Sequence, residues 1–276
     1  MSNHESHIPL KSITFIFHEK DIRSQLVNPE NIRYNRFRTI ETPEHFALLL
    51  GPDVKFASHP GVTQNIAKKF IESQNKNENL EKISDGESGI ILTASLVHDL
   101  GELKIDGLGH GDISFEHHTE DHENVEETIF ERIVGRVADL SDRGYITTAY
   151  KEVVQNKDSK LGKAFNAIER IGYLNTGLRA FSGFNGERIS NWFGLTGNVL
   201  SNQIIQLLNL QNNYSYVREI LEGNQQLITE AFNEVAKNEV LSDRDGKPSY
   251  DLNKFNQAKE AWENAIIFSD SLMPSR

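Results

Sequence analysis

The chain has 276 residues, 37% of them apolar and 25% charged, enough for one large domain or for a core with an extension. Its 29 basic against 40 acidic residues give a net charge of −11, which argues against broad capture of duplex nucleic acid, where a basic face is the usual footprint. No apolar run approaches the roughly 18 residues of a membrane span, and MSNHESHIPLKS lacks the basic region and apolar core of a signal peptide; with no cysteine to form disulfides, a cytoplasmic, soluble protein is expected.

Apolar residues return every three or four positions nearly throughout, so the chain is expected to be all-α. SITFIFH, residues 12 to 18, reads equally as a short strand or the buried start of a helix. The first clear helix is expected near Ser58, a good N-cap, with Pro60 in the first turn where its missing N–H is harmless. Val62, Ile66 and Phe70 form its inward stripe, which His59 extends toward the N-terminus.

After a polar loop around 74 to 88 comes GIILTASLVHDLGE. As a regular helix it puts Ile91, Ala94, Ser95 and His98 on one face, with Glu102 four residues further along that face. The glycine-rich stretch 103 to 118 reads as an irregular loop. A third helix is expected from Thr119, with Glu120 and Asp121 in its first turn and Val125, Ile129 and Ile133 facing in. A fourth covers 159 to 181, with Leu161, Phe165 and Ile168 inward and Glu169 beside them. Beyond Gly183 the chain turns rich in Asn and Gln, with helices expected near 187 to 210, 214 to 241 and 251 to 270; SDRDGKPS separates the last two. The organisation read here is an N-terminal segment 1 to 32, a core domain 33 to 182 and a helical extension 183 to 276.

His98 and Asp99, adjacent at the end of an apolar helix, can hold one divalent cation between them. Neighbouring helical side chains differ in direction by about 100°, so the ion must lie beside the helix between the two. His59 is placed to reach in from another helix, and a distant carboxylate, Glu169, completes four ligands; imidazole and carboxylate donors suit such cations. Asp139 and Asp142 are rivals for the last position, closer in sequence to Asp99.

These residues resemble the H…HD…D signature of the HD-domain metal-dependent phosphohydrolases, nearest to the 5′-deoxynucleotidase-like branch, whose motif runs HD-x-x-E, then G-D-I or G-D-L, then a charged helix. Here stand His98-Asp99-Leu100-Gly101-Glu102, then Gly111-Asp112-Ile113, then EHHTEDHENVEE. The likeness spans about residues 33 to 180. It departs in three places: a longer segment between Glu102 and Gly111, Glu169 where the family has aspartate, and Thr39-Ile40 where the family often places a sugar-contacting tryptophan.

The resemblance implies an HD-type helical bundle with one divalent metal (Mn, Co, Mg, Zn, Ni or Fe) bound by His59, His98, Asp99 and Glu169. A metal-bound water would attack a phosphomonoester of a small molecule, most naturally a nucleotide. Glu102 and Asp112 would serve as the acid–base pair, and Arg36 and Arg38, in RYNRFRTI, would grip the phosphate oxygens. Two other readings stand beside it. In one, His118 and His122, four apart near His110 and His117, chelate a second cation, as in two-metal HD phosphodiesterases or di-iron oxygenases. In the other, the pocket of a non-catalytic scaffold only binds a nucleotide. Long amphipathic helices point to a homodimer.

Overall fold

The computed structural model describes residues 7–26, 39, 59–111, 119–183 and 191–271, with side chains to 266. The protein is all-α. Among the described residues there are no strands, only two isolated bridges, Ile105 with Leu108 and Ser242 with Pro248, and no helix is long and apolar enough to cross a membrane. The described chain forms two compact units that divide between Glu169 and Arg170, inside one helix.

The first unit opens with α1 (Leu10–His18) and α2 (Lys20–Leu26). SITFIFH is therefore helical: Ile13 and Ile16, three residues apart, are both buried, and tertiary burial outweighs the β-preference of its branched residues. Helix α3 runs His59–Lys76; Ser58 lies outside the described residues. Its buried row is Thr63, Ile66 and Phe70, continuing from His59, whereas Val62 is 46% exposed. The i, i+4, i+7, i+11 progression from His59 fixes the inward direction, and Val62 falls off its edge.

Helix α4 (Asp85–Val97) starts with a reciprocal capping box, in which the Glu87 N–H donates to the Ser84 hydroxyl and the Ser84 N–H donates to Glu87. Lys160 adds an ion pair to Glu87 at 2.8 Å. From Ile91 to Val97 every residue of α4 is buried, so the helix is enclosed all round and delivers its C-terminal end into the interior. There the winding tightens to a 3₁₀ turn, His98–Glu102.

Two tight features follow. An Asp-Gly turn between Ile105 and Leu108 has positive φ at both central residues, 52° at Asp106 and 78° at Gly107, the conformation of a type I′ turn. The Gln25 side chain then brackets the Lys104 peptide, accepting from its N–H at 2.8 Å and donating to its C=O at 2.9 Å. Helix α5 (Glu120–Val134) buries Ile129 and Ile133 as expected, with Val125 half-buried against the same core. Helix α6 (Leu140–Tyr150) is capped by Asp139, which accepts from the N–H groups of Ser141 and Asp142. It ends in a π-helical turn, Lys151–Gln155. Helix α7 (Lys160–Ser182) begins where the Ser159 hydroxyl accepts from the Gly162 N–H, and it carries Phe165, Ile168 and Glu169. The core of this unit joins Ile13, Ile16, Leu100, Phe130, Ile133 and Tyr150, among others, and Phe130 stacks on Tyr150 at 3.7 Å between centroids.

The second unit holds the rest of α7 with α8 (Trp192–Leu210), α9 (Ser215–Gly223), α10 (Gln225–Val235) and α11 (Leu252–Ser271). The stretch 214 to 241, expected as one helix, is two: the chain breaks at Gly223-Asn224, where Asn224 takes φ −111° and ψ 14°. Asn224 hydrogen-bonds back to the Ile220 carbonyl and so closes α9. Before α11, Gly246 at φ 74° makes the expected turn, its N–H bonded to the Asp243 carbonyl.

Candidate metal centre

Three elements of the first unit bring His59, His98, Asp99 and Glu169 to one place. His59 is the first described residue of α3. His98 and Asp99 begin the 3₁₀ turn, and Glu169 lies one turn beyond Phe165 on α7. One ligand atom from each of His59, His98 and Glu169 falls within 4.8 Å of the other two. Asp99 spans the imidazoles, with Oδ1 3.1 Å from His98 Nε2 and Oδ2 3.9 Å from His59 Nε2. Glu169 Oε1 is 3.7 Å from His98 Nε2. The two imidazole centroids are 4.9 Å apart.

These spacings can be tested against a cation. Nitrogen or oxygen donors about 2.0–2.2 Å from one ion at tetrahedral angles are themselves roughly 3.3–3.6 Å apart; the converging donors are those of His59, His98 and Glu169, within 4.8 Å of one another, while Asp99 lies beside them, a different oxygen facing each imidazole. Burial grades across the group. The His98 and Asp99 side chains are 4% and 9% exposed, and Glu169 at 30% marks the side that meets solvent.

The orientation of His98 is set locally. Its Nδ1 lies 3.0 Å from the Ser95 carbonyl oxygen, and a carbonyl only accepts, so Nδ1 carries a hydrogen and Nε2 is the ring nitrogen turned to the carboxylates. Phe165 packs edge-on against the ring at 5.4 Å. Nε2 is thus turned into the group, buried, and without a hydrogen-bond partner. An orphaned buried nitrogen is costly unless something partners it. A backbone carbonyl behind one ring nitrogen is also the usual support for a histidine that ligates through the other. His59 Nε2 has the Thr63 hydroxyl 3.5 Å away, one turn along α3. The residues present therefore fit a divalent cation, and two imidazoles with carboxylates suit a transition ion well.

Glu102 ends the 3₁₀ turn, half-buried and three residues after Asp99. Both act on Tyr150: burial raises its phenol above the ordinary tyrosine range, and the charges of Glu126, Glu102, Glu127 and Asp99 push it further. Arg36, Arg38 and Asp112 lie outside the described residues, as do His117 and His118.

The rival carboxylates are engaged elsewhere. Asp139 caps α6, and Asp142 accepts the Ser12 hydroxyl at 2.6 Å. His122 closes a capping box at the start of α5, its Nδ1 accepting the Thr119 N–H at 3.0 Å, and its ring packs on His110 at 4.8 Å. Sequence reasoning put Ser95 on the face of His98 and Phe165 beside Glu169 without giving either a role at the site, and it missed Tyr150. Ser95, three residues before His98, and Phe165, four before Glu169, follow from helical spacing; Tyr150 carries no sequence signal, because only the packing of α6 brings it there. No known family, no curated protein and no solved structure matches the chain.

Proposed function

We propose that this protein is a divalent-metal-dependent phosphohydrolase of the HD-domain kind, cleaving a phosphomonoester of a small molecule such as a nucleotide, with His59, His98, Asp99 and Glu169 as metal ligands. The observation that carries this reading is the buried, unpartnered Nε2 of His98, facing the carboxylates of Asp99 and Glu169. Donors of this kind converging on one point call for a positive centre among them. The motif resemblance supplies the reaction class and the nucleotide.

When bound, a divalent cation makes a water nucleophilic near neutral pH and polarises a phosphoryl oxygen. The remaining work belongs to side chains. Ser95 holds the His98 ring, and Asp99 orients both imidazoles. Glu169, on the solvent side, bounds the way in for a substrate. Glu102, half-buried three residues after Asp99, and Asp112 move the protons, one taking a proton from the attacking water and the other giving one to the departing alkoxide. Arg36 and Arg38 bind phosphate oxygens.

The test is a phosphate-release screen over nucleoside mono-, di- and triphosphates with Mn, Co, Mg, Zn, Ni and Fe, run beside a metal count per chain. Release is expected with one ion per chain, abolished in His98→Ala and lowered by about 10²–10⁴ in Glu102→Gln. Two ions per chain would move the reading to a two-metal enzyme. A tightly bound ion and nucleotide without release would make the protein a binding scaffold.

A further inference from the structure

The turn that carries His98 and Asp99 is closed off at Gly101. A Cβ there would stand 2.8 Å from the Glu126 carbonyl oxygen and 3.1 Å from the Tyr150 hydroxyl. The Tyr150 hydroxyl is therefore seated directly against the turn, at the second of the two residues between Asp99 and Glu102. Tyr150 is 4% exposed, and its ring stacks nearly parallel on Phe130, 15° between planes. It is the last residue of α6 before the π-helical turn Lys151–Gln155, a local widening that often accompanies functional sites.

Packing accounts for the ring and not for the hydroxyl. A phenylalanine would stack on Phe130 equally well, yet a tyrosine stands here with its hydroxyl against Gly101, in the turn that carries Asp99 and Glu102. A neutral hydroxyl can approach several carboxylates without adding like charge, and it can donate to one of them. Burying it in an apolar core is unfavourable unless it does so.

We propose that Tyr150 is a positioning residue for the metal-bearing turn, its hydroxyl braced against Gly101 so that Asp99 stays turned toward the two imidazoles. This rests on the metal reading above. It assigns to α6, which supplies no ligand, control over the placement of one.

The experiment compares the full-length parent, Tyr150→Phe and His98→Ala by three readouts: the Kd for Co²⁺ alone, the visible absorption spectrum of the Co²⁺-loaded protein, and the Tm of the metal-free protein. Tyr150→Phe keeps the stack, so its metal-free Tm is expected to move by only a few degrees. Its Co²⁺ affinity is expected to fall by about 10- to 100-fold, the range for partners of metal ligands, with an altered Co²⁺ spectrum. Equal affinity and an unchanged spectrum would overturn the inference while leaving the metal site standing. A collapse of the metal-free Tm would also overturn it, by making the hydroxyl a stability element. A parent that binds no Co²⁺, like His98→Ala, would remove the metal reading and this inference together.

Discussion

The Nδ1 of His98 sits 3.0 Å from the carbonyl oxygen of Ser95, one turn earlier on the same helix, and this single contact decides which ring nitrogen faces the interior. Because the carbonyl engages Nδ1, Nε2 is left facing Asp99 and Glu169. The direction of Nε2 is thus set by a backbone atom that no side-chain substitution removes.

Metal addition should stabilise the protein measurably. A ligand that binds only the folded state adds about 2.7 kcal/mol at a hundredfold excess over its Kd, and for a chain of this size that is a rise in Tm of several degrees. Differential scanning fluorimetry with Mn²⁺, Co²⁺ and Zn²⁺ should show the rise in the parent and its reversal by a chelator. His98→Ala and Glu169→Ala should show neither. An identical rise in His98→Ala would place the binding elsewhere.

Gly101→Ala should destabilise the fold. The added methyl meets the Glu126 carbonyl at 2.8 Å, backbone that can yield only by shifting α5. Overpacking of this kind typically costs about 1–3 kcal/mol, readable as a lower midpoint in urea. Gly86→Ala is the control, since its Cβ meets nothing within 4 Å.

Ser84→Ala should remove the cap of α4. The loss of a side-chain cap costs about 0.5–2 kcal/mol, and here it also ends the bond from the Ser84 hydroxyl to the Glu87 carboxylate, while the one from the Ser84 N–H remains. Chemical denaturation should report that loss. Because His98 lies at the opposite end of the same helix, metal affinity in the folded variant should stay within about threefold of the parent, a difference of some 0.7 kcal/mol.

The Asp21–Arg136 pair should make a small acid-sensitive contribution. Arg136 donates to both Asp21 carboxylate oxygens, at 3.1 and 2.9 Å, and this hydrogen bonding, aided by charge attraction and opposed by partial burial, holds the Asp21 carboxyl below its usual range. With the folded pKa below the unfolded one, the stabilisation is complete above the unfolded value and is lost as pH falls through the folded value. Asp21 is 46% exposed, so solvent screening keeps the effect under about 1 kcal/mol. Unfolding free energies of the parent and Asp21→Asn should differ at pH 7 and converge below about pH 4. A difference that persists unchanged to pH 2 would contradict the pairing.

Periodicity alone was sufficient for the all-α class, for the inward rows of α5 and α7, and for the turn at Gly246, because each depends on residues within a few positions of one another. The same local logic singled out His59, His98, Asp99 and Glu169, since imidazoles and carboxylates beside apolar stripes are conspicuous. Three matters depended on distant neighbours. The tightening to 3₁₀ winding at His98 occurs at the end of a helix whose residues from Ile91 to Val97 are all buried. SITFIFH became helical because Ile13 and Ile16 found a core to enter. The hydroxyl under Gly101 comes from a residue 49 positions away in the chain, 150 − 101, and helical spacing says nothing about partners that remote. Short-range pattern specifies which side chains point the same way; close packing of separate helices specifies which of them meet.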